Sequence, residues 1–331
     1  MSKRFFRSLT RTVLFQISTF KLTSNSVAIL LVCLTSTWMV QAQAPQKFVS
    51  ARRGSDFAPC NINFPCRTFA VAMRHAPPRG EIIALDAGDY GAVTITKAVT
   101  ISGPVEGYAG INFAPSAAVT INAGSSDTVI LRRLALRGPG PNGPAPGILF
   151  QAGEALFVEN CVIDGFSGPG IAFNSVGQLF VKDTAVRNCR QGGVTPGISI
   201  GTSSGKTMAF IDHTRLEKND FGIVVSGNAN VTVRDSVAAG NGTGFAVTSS
   251  GPGTAAEMNL ENCVATGNEI GVFSTSGFAG GGALIRVSNS TVTNNGAGVI
   301  DTEGGRTLSR GNNTVEGNTK DGGFTGKFDA K

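Results

Sequence analysis

A short motif recurs every 23 to 29 residues through the second half of the chain. Apolar and variable positions alternate, followed by Asn or Asp and usually a small residue. Six copies occupy residues 156–161, 179–184, 208–213, 231–236, 258–263 and 285–290, and an earlier one ends at Arg133. The polar motif residues and one Asn downstream of them are Asn160, Asp183, Asp212, Asp235, Asn262, Asn289 and Asn312. Such a period is typical of chains that stack one structural unit per repeat.

A second marker, Gly followed by an apolar residue, recurs in phase with the first. It begins at Gly147, Gly170, Gly197, Gly222, Gly244, Gly271 and Gly298. Period-two alternation is typical of strands with one buried face. The strand segments have only three to six residues between Gly/Asn turns, which leaves no room for crossover helices. The chain is therefore predicted to be all-β and to coil into a parallel β-helix over residues 81–318.

Equivalent residues of successive coils are expected to stack about 4.8 Å apart. One inward column is predicted to contain Val158, Val181, Phe210, Val233, Leu260 and Val287. The seven Asn and Asp residues of the motif are predicted to form a structural ladder at a tight turn, bonding backbone groups of the next coil. Loops 202–206 and 249–256 are expected to absorb the variation in repeat length.

The first 44 residues are predicted to be a signal peptide. Basic residues precede an apolar run, 27–40, which is followed by the small-residue stretch 42–44. The run is short for a transmembrane helix, and an uncleaved signal anchor is the alternative. Removing this segment leaves 23 basic against 22 acidic side chains. The basic pI therefore belongs to the leader, and nucleic acid is not an expected partner.

Residues 45–80 are predicted to form an N-terminal segment outside the repeats. Cys60 and Cys66 flank a short loop that could close as a disulfide in an oxidising compartment, with a metal-binding pair as the rival interpretation. Residues 67–76 are predicted to form a short amphipathic helix that caps the first coil, and residues 319–331 a C-terminal tail. Three further cysteines within the repeats, Cys161, Cys189 and Cys263, are expected to be buried.

Residues 65–69 (PCRTF), the turn 88–90 (GDY) and the Asn-Cys and Asn-Ser pairs at 262–263 and 289–290 carry a family resemblance. Over residues 47–318 the chain resembles the right-handed parallel β-helix repeat proteins of the pectin-lyase-like superfamily, in particular its exported bacterial members. The resemblance implies a right-handed coil. It implies little about activity, because the superfamily spans lyases, hydrolases, epimerases, adhesins and inert scaffolds.

The catalytic motifs of polygalacturonase-like members are absent from this sequence: it has no adjacent Asp pair, no Gly-His-Gly and no Arg-x-Lys. Its two histidines are His75, on the predicted capping helix, and His213. The candidate catalytic residues are His213, Arg215, Glu217 and Asp220, or Asp164, Arg187 and Arg190 on the preceding coils. A turn histidine without a catalytic role is the competing interpretation of His213.

Two outward columns are predicted on the first strand of each repeat. One, with the order Arg132, Glu159, Lys182, Ile211, Arg234, Glu261 and Ser288, mostly alternates in charge and indicates a salt ladder rather than a metal site. The other places Phe157 and Phe180 on adjacent coils, followed by Ala209. If exposed, the two rings would form a platform for a sugar; if covered by loop 138–147, they would be ordinary packing.

These observations predict an exported scaffold without catalytic activity that binds carbohydrate or serves as a structural component of the envelope or surface. The alternative is a polysaccharide lyase or glycoside hydrolase with a divergent active site. The expected partner is a polysaccharide or cell-envelope glycan. No metal or cofactor is expected, and no stable membrane span after signal cleavage. The expected location is periplasmic or extracellular.

Overall fold

The structure is a computed structural model that describes residues 44–112, 116–140, 145–249, 251–277 and 281–329. The predicted signal peptide lies outside the described residues, apart from its last position. The described chain contains one helix, α1 (Phe69–His75), and thirty strands. The strands are β1 (Gln46–Val49), β2 (Gly80–Ala84), β3 (Gly88–Asp89), β4 (Val93–Ile95), β5 (Val99–Ser102), β6 (Ala109–Asn112), β7 (Val119–Asn122), β8 (Thr128–Arg132), β9 (Leu134–Arg137), β10 (Ile148–Ala152), β11 (Ala155–Glu159), β12 (Val162–Asp164), β13 (Ile171–Phe173), β14 (Gly177–Lys182), β15 (Ala185–Arg187), β16 (Pro196–Asp212), β17 (Arg215–Glu217), β18 (Phe221–Arg234), β19 (Val237–Ala239), β20 (Thr243–Thr248), β21 (Ala255–Glu261), β22 (Val264–Thr266), β23 (Ile270–Thr275), β24 (Gly282–Ser288), β25 (Thr291–Thr293), β26 (Ala297–Thr302), β27 (Arg306–Ser309), β28 (Thr314–Val315), β29 (Lys320–Gly322) and β30 (Gly326–Lys327).

The strands form three parallel ladders, which are the three faces of a β-helix. Face A contains β1, β2, β5, β8, β11, β14, residues 207–212 of β16, residues 229–234 of β18, β21, β24, β27 and β30. Face B is the ten-stranded sheet from β3 to β28, built mostly from strands of two to four residues. Face C contains β4, β7, β10, β13, the first halves of β16 and β18, β20, β23, β26 and β29. Each coil runs from face A through face B to face C, so the predicted parallel β-helix is confirmed.

Inward side chains form continuous apolar columns. Val158, Val181, Val233, Leu260 and Val287 are buried and in register on face A, as predicted. The prediction was wrong by one residue at 208–213. Ile211 pairs with Val181, so Ala209 and Ile211 point inward and Phe210 points outward. Both phases of this segment alternate apolar with other residues, which is why a slip of one position was possible there.

The one-residue difference in register also changes which residue occupies the turn that follows face A. The residue at this corner adopts the left-handed conformation, with φ of 50° at Asn160, 49° at Asp183, 48° at Asp235, 53° at Asn262 and 47° at Asn289. In the irregular coil the residue is His213, with φ of 45°, and not Asp212. Asn and Asp are favoured because their short polar side chains tolerate this conformation. Asn312 extends the ladder, since its Oδ1 accepts the N–H of Asn289 at 3.0 Å.

A second, buried ladder lies at the turn between faces B and C. It contains Asn219, Asn241, Asn268, Asn295 and Asn318. The side-chain oxygen of Asn219 accepts the backbone N–H of Cys189, and that of each later member accepts the backbone N–H of the Asn one coil earlier, all at 2.9 Å. The side-chain nitrogen donates to a backbone carbonyl, as Asn241 does to Leu216. Sequence analysis did not identify this ladder, although its members share the spacing of the Gly marker.

The Gly marker itself is required by the distance between coils. A Cβ on Gly244 would lie 2.6 Å from the carbonyl oxygen of Gly271, and one on Gly271 would lie 2.7 Å from that of Gly298. These contacts are backbone atoms of the next coil and cannot move aside. The turn therefore excludes every residue with a side chain.

The N-terminal end of the β-helix is covered by α1. Thr68 caps this helix by accepting the N–H of Val71, and Phe69, Val71 and Met73 are buried against the first coil. Cys60 and Cys66 are joined by a disulfide with Cα atoms 4.6 Å apart. The β-helix exceeds the predicted boundaries at both ends: β1 already pairs with β2, and β29 and β30 pair with β26 and β27.

Candidate functional site

The outer side of face A carries three columns of outward side chains, because alternate residues of each strand point away from the core. The central column contains Thr100, Ile130, Phe157, Phe180, Phe210, Thr232, Asn259, Arg286 and Leu308. Three phenylalanines are therefore consecutive where sequence analysis placed two followed by Ala209. The column is partly buried along the phenylalanines.

Two rings of this column, those of Phe157 and Phe180, stack on one another. The ring centroids of Phe157 and Phe180 are 4.4 Å apart and the ring planes differ by 8°. Parallel rings at this separation must lie face over face, so they present their edges to solvent. At the far end of the column, the Arg234 guanidinium lies 5.8 Å from the centroid of Phe210. The two predicted platform residues thus offer a saccharide their ring edges rather than open ring faces.

The column at the carboxyl end of face A alternates in charge without interruption: Arg132, Glu159, Lys182, Asp212, Arg234 and Glu261. The predicted Ile211 is replaced by Asp212, which follows from the corrected register. Arg132 Nε is 2.6 Å from Glu159 Oε2, and Arg234 Nε is 3.1 Å from Asp212 Oδ1. Burial disfavours the Asp212 carboxylate, but hydrogen bonds from Arg234 and His213 outweigh it and lower the pKa of Asp212.

A groove crosses face A over Phe180 and Phe210 of the central column, on the side away from the charged column. Its central part, of about 320 Å³, is lined by Gln178, Phe180, Met208, Phe210, Asn230 and Thr232 among others. A neighbouring hollow of about 460 Å³ shares Gln178 and Met208 and adds Glu154, Ser175, Val176 and Lys206. A third hollow of about 340 Å³ shares Glu154 and extends towards Thr100 and Ile130. Met208 and Val176 are each 48% exposed, so this groove offers apolar surface next to amide, hydroxyl and charged groups.

His213 lies at the edge of face A with two carboxylates. Its Nδ1 is 3.1 Å from Asp212 Oδ1, and Asp235 is close enough for the three ligand atoms to lie within 4.8 Å of one another. Arg234 already bonds Asp212 at 3.1 Å and Asp235 at 3.0 Å. The Arg234 guanidinium therefore neutralises the carboxylates of Asp212 and Asp235. Together with His213, these side chains form an ion-pair cluster.

The other candidate catalytic residues lie elsewhere and are engaged locally. Arg215 pairs with Glu217 on face B, with Nε 2.8 Å from Oε1. Asp220 accepts the backbone N–H groups of Gln191 and Thr195, each at 3.0 Å, and so holds the loop between them. These contacts do not bring the three side chains together with His213 around one space.

The candidates on the preceding coils are also paired. Arg187 Nε is 3.1 Å from Asp164 Oδ2 on face B. Arg190 donates to the carbonyl oxygens of Lys218 at 2.6 Å and Gly240 at 3.0 Å, and so joins two later coils. Both arginines therefore contribute to coil stacking.

The repeat cysteines are unsuited to nucleophilic chemistry. Burial raises the pKa of Cys161 and Cys189 to about 12 and that of Cys263 to about 11. The thiols of Cys161 and Cys263 lie at the corner after face A, where Thr184 and Ser236 occupy the equivalent positions in other coils. They act as small buried side chains.

The fold and its corner residues agree with the comparison to known families. The family model of the right handed beta helix region matches residues 83–251 and 142–320. The chain belongs to this family. The right-handed β-helix is similar in structure to pectate lyase Pel9A, with a TM-score of 0.59 and 16% identity over 81% of this chain and 75% of that one.

Two further solved structures share the β-helix at lower similarity. The A-module of mannuronan C-5 epimerase AlgE4 from Azotobacter vinelandii has a TM-score of 0.42 and 12% identity over 77% of this chain and 90% of that one. A GH136 lacto-N-biosidase from Eubacterium ramulus has a TM-score of 0.46 and 8% identity over 98% and 73%. No curated protein matches the sequence significantly. In the described part of this right-handed β-helix, no helix has the length and hydrophobicity required to span a bilayer.

Sequence analysis of this β-helix protein missed most of the groove. Met208, Gln178 and Asn230 occupy equivalent positions at the start of face A on three successive coils. In the observed register, Met208 is an exposed apolar side chain at an outward position of face A. The slipped register had assigned Met208 to the inward phase, so this signal was missed.

Proposed function

We propose that this protein is an exported, non-catalytic β-helix that binds a polysaccharide or cell-envelope glycan in the groove on the outer side of face A. The observation that carries the proposal is the mixed lining of that groove. Met208 and Val176 supply exposed apolar surface, while Gln178, Asn230 and Lys206 supply hydrogen-bonding groups within the same space. A sugar presents apolar C–H groups and hydroxyls side by side and needs both kinds of contact.

The volume of the groove is large enough for a saccharide ligand. Its two main parts, of about 320 and 460 Å³, each fall in the range typical of small-molecule sites. The adjoining hollows share lining residues and follow the stack of coils, which suits an extended chain better than an isolated sugar. The fold neighbour at a TM-score of 0.59 is a pectate lyase, which indicates that a β-helix can present a surface to a polysaccharide.

The charged side chains around face A favour binding over bond cleavage. Glycoside hydrolysis generally needs two carboxylates that face one bond, one of them able to give a proton. Glu154 is the one carboxylate among the described residues that line the groove, so no second carboxylate faces a bond there. Elsewhere on the face, Glu159, Asp212 and Glu257 each contact an arginine, at 2.6, 3.1 and 2.8 Å. Ion pairing stabilises the charged form of a carboxylate and opposes its use as a proton donor.

The proposal is tested by screening the purified protein against a polysaccharide panel while recording both binding and the release of reducing or unsaturated ends. We expect binding without products. The double variant Gln178→Ala/Asn230→Ala should weaken Kd about tenfold or more, since each removed group bonds sugar hydroxyls. The control Asn259→Ala, an amide on the same face outside the groove lining, should leave Kd unchanged.

Three outcomes would contradict the proposal. Absence of binding to every glycan would remove the proposed role, and equal binding by the double variant would place the site elsewhere. Product release that His213→Ala abolishes would support the alternative, a lyase or hydrolase.

A further inference from the structure

The disulfide-closed segment 55–66 exposes large apolar side chains at the N-terminal end of the β-helix. Phe57 is fully exposed at 102%, Phe64 is 65% exposed and Ile62 is 53% exposed. These side chains lie within eight residues of one another on one loop, which the Cys60–Cys66 disulfide closes. Exposed apolar groups concentrated in this way are typical of a surface that meets an apolar partner.

Polar bonds and the disulfide hold this loop without help from its apolar side chains. Asn61 Oδ1 accepts the N–H groups of Asn63 at 3.1 Å and Phe64 at 2.8 Å. Asp56 Oδ1 accepts those of Arg67 at 3.0 Å and Thr68 at 2.9 Å. The loop is therefore ordered in advance, and a partner that takes up the apolar side chains loses little conformational entropy in doing so.

The position of the loop connects it to the leader. It packs on the outer edge of β1, where Phe48 donates to Cys60 O and Cys66 donates to Phe48 O, each at 2.9 Å. Residues 1–43 join the fold immediately before β1 and contain the apolar run 27–40. Export through that run leads this end of the β-helix to the membrane first.

The charges beside the loop suit an anionic surface. Arg52 and Arg53 are exposed next to it, and a guanidinium nitrogen of Arg53 donates to the Ile62 carbonyl of the loop at 3.1 Å. Asp56, the acidic residue within the loop, has its carboxylate engaged by the backbone and by the Thr68 hydroxyl at 3.1 Å. Basic side chains next to exposed aromatic and aliphatic groups are typical of segments that enter the headgroup region of a bilayer.

We propose that loop 55–66 is a membrane-docking element. Phe57, Phe64 and Ile62 enter the boundary between headgroups and acyl chains, while Arg52 and Arg53 contact anionic headgroups. This role is independent of the groove on face A.

The chain permits a direct spectroscopic test. Its single tryptophan, Trp38, lies in the predicted signal peptide, so the processed protein has none. The full chain is produced with its own leader in an exporting host, and mass spectrometry identifies the new N-terminus. Phe57→Trp is then titrated with phosphatidylglycerol/phosphatidylethanolamine vesicles, and with vesicles that contain brominated lipids. We expect a blue-shifted emission and strong quenching by bromine. The matched control Val194→Trp places the tryptophan at a 72% exposed site in a loop of a middle coil. It should show neither the blue shift nor the quenching.

Vesicle co-sedimentation tests the contributions of individual residues. The double variant Phe57→Ser/Phe64→Ser should lower the partition coefficient about tenfold or more, with circular dichroism and Tm unchanged. Arg52→Gln should weaken binding to anionic vesicles only, and should reduce its salt dependence. Absence of vesicle binding, or binding equal to that of the Phe57→Ser/Phe64→Ser variant, would overturn the proposal. If the original protein binds no vesicles but forms a dimer, and the Phe57→Ser/Phe64→Ser variant is a monomer, the loop would be a self-association surface instead.

Discussion

The side-chain oxygen of Asn268 accepts two hydrogen bonds from Asn241, one from its backbone nitrogen and one from its side-chain nitrogen, each of 2.9 Å. Asn268 in turn donates to Asn295 Oδ1 at 2.9 Å, and the ladder ends where Asn318 donates to Asp321 Oδ1 at 2.9 Å. The Asp321 carboxylate thus takes the place of the next asparagine. Each member of this buried column depends on the one that follows it.

Asn268→Ala should destabilise the protein by about 2–5 kcal/mol. The substitution leaves the Asn241 backbone N–H and one of its two side-chain amide hydrogens without acceptors in a buried position, while the other amide hydrogen keeps its bond to the Leu216 carbonyl. Each group left without an acceptor contributes about 1–3 kcal/mol. Urea denaturation measures the loss, with Asn259→Ala on the outer face as the control. A loss of less than 1 kcal/mol would indicate that water replaces the missing side chain.

The buried asparagine ladder is a feature that was not predicted from the sequence. The members from Asn219 to Asn295 each precede a glycine of the Gly marker by three residues, as in Asn241 to Gly244 and Asn268 to Gly271, so the pattern was visible. An asparagine beside a glycine is also typical of an exposed turn. The sequence alone does not distinguish a turn that faces solvent from one whose side chains stack inside the coil.

Gly244→Ala should destabilise the protein by about 3 kcal/mol, because its Cβ would meet the Gly271 carbonyl oxygen at 2.6 Å. Gly323→Ala is the matched control, since no atom lies within 4 Å of the position of its Cβ. We expect it to change the free energy of unfolding by less than about 0.5 kcal/mol. Equal effects in thermal denaturation would show that coil spacing does not select glycine at this turn.

The register of the irregular coil was the other limit of prediction. Residues 208–213 contain apolar side chains in both phases, and Asp212 and His213 are both polar. Contacts between coils decide between the phases: Phe210 continues the outward phenylalanine column after Phe180, and Ile211 continues the buried one after Val181. The alternating charges of Arg132, Glu159 and Lys182 continue at Asp212 only in the observed register. The regular coils gave the correct phase because their left-handed corner residue is Asn or Asp, as at Asn160 and Asp183, whereas His213 takes that position in the irregular coil.

His213→Asn should leave the free energy of unfolding within about 0.5 kcal/mol of the original value. Asn160, Asn262 and Asn289 hold the equivalent left-handed position, at φ of 50°, 53° and 47°. His213→Val should lower stability by about 1–2 kcal/mol, because a β-branched side chain is strained in this conformation. Urea denaturation compares the two variants. A large loss in His213→Asn would show that the contact with Asp212 matters more than the backbone conformation.

Asp86 provides the clearest pH-dependent contribution. Its carboxylate accepts the Ala51 N–H at 2.7 Å and the Tyr90 hydroxyl at 2.6 Å, together with the Ser50 hydroxyl. Burial disfavours the charged form, but the hydrogen bonds from Ser50, Tyr90 and Ala51 outweigh it and lower the pKa of Asp86 below its ordinary value.

Because the folded state lowers the pKa of Asp86, the stability that this group contributes is present above the unfolded pKa of about 3.9 and is lost as the pH falls through the lower folded value. Asp86→Asn should therefore be less stable than the original chain by about 1–3 kcal/mol at pH ~7, with a smaller deficit at pH ~3. Tyr90→Phe, which removes one donor, should show the same trend with a smaller amplitude. Denaturant titrations at both pH values measure these differences, and a deficit equal at both would mean that Asp86 stabilises the N-terminal coil by packing rather than by charge.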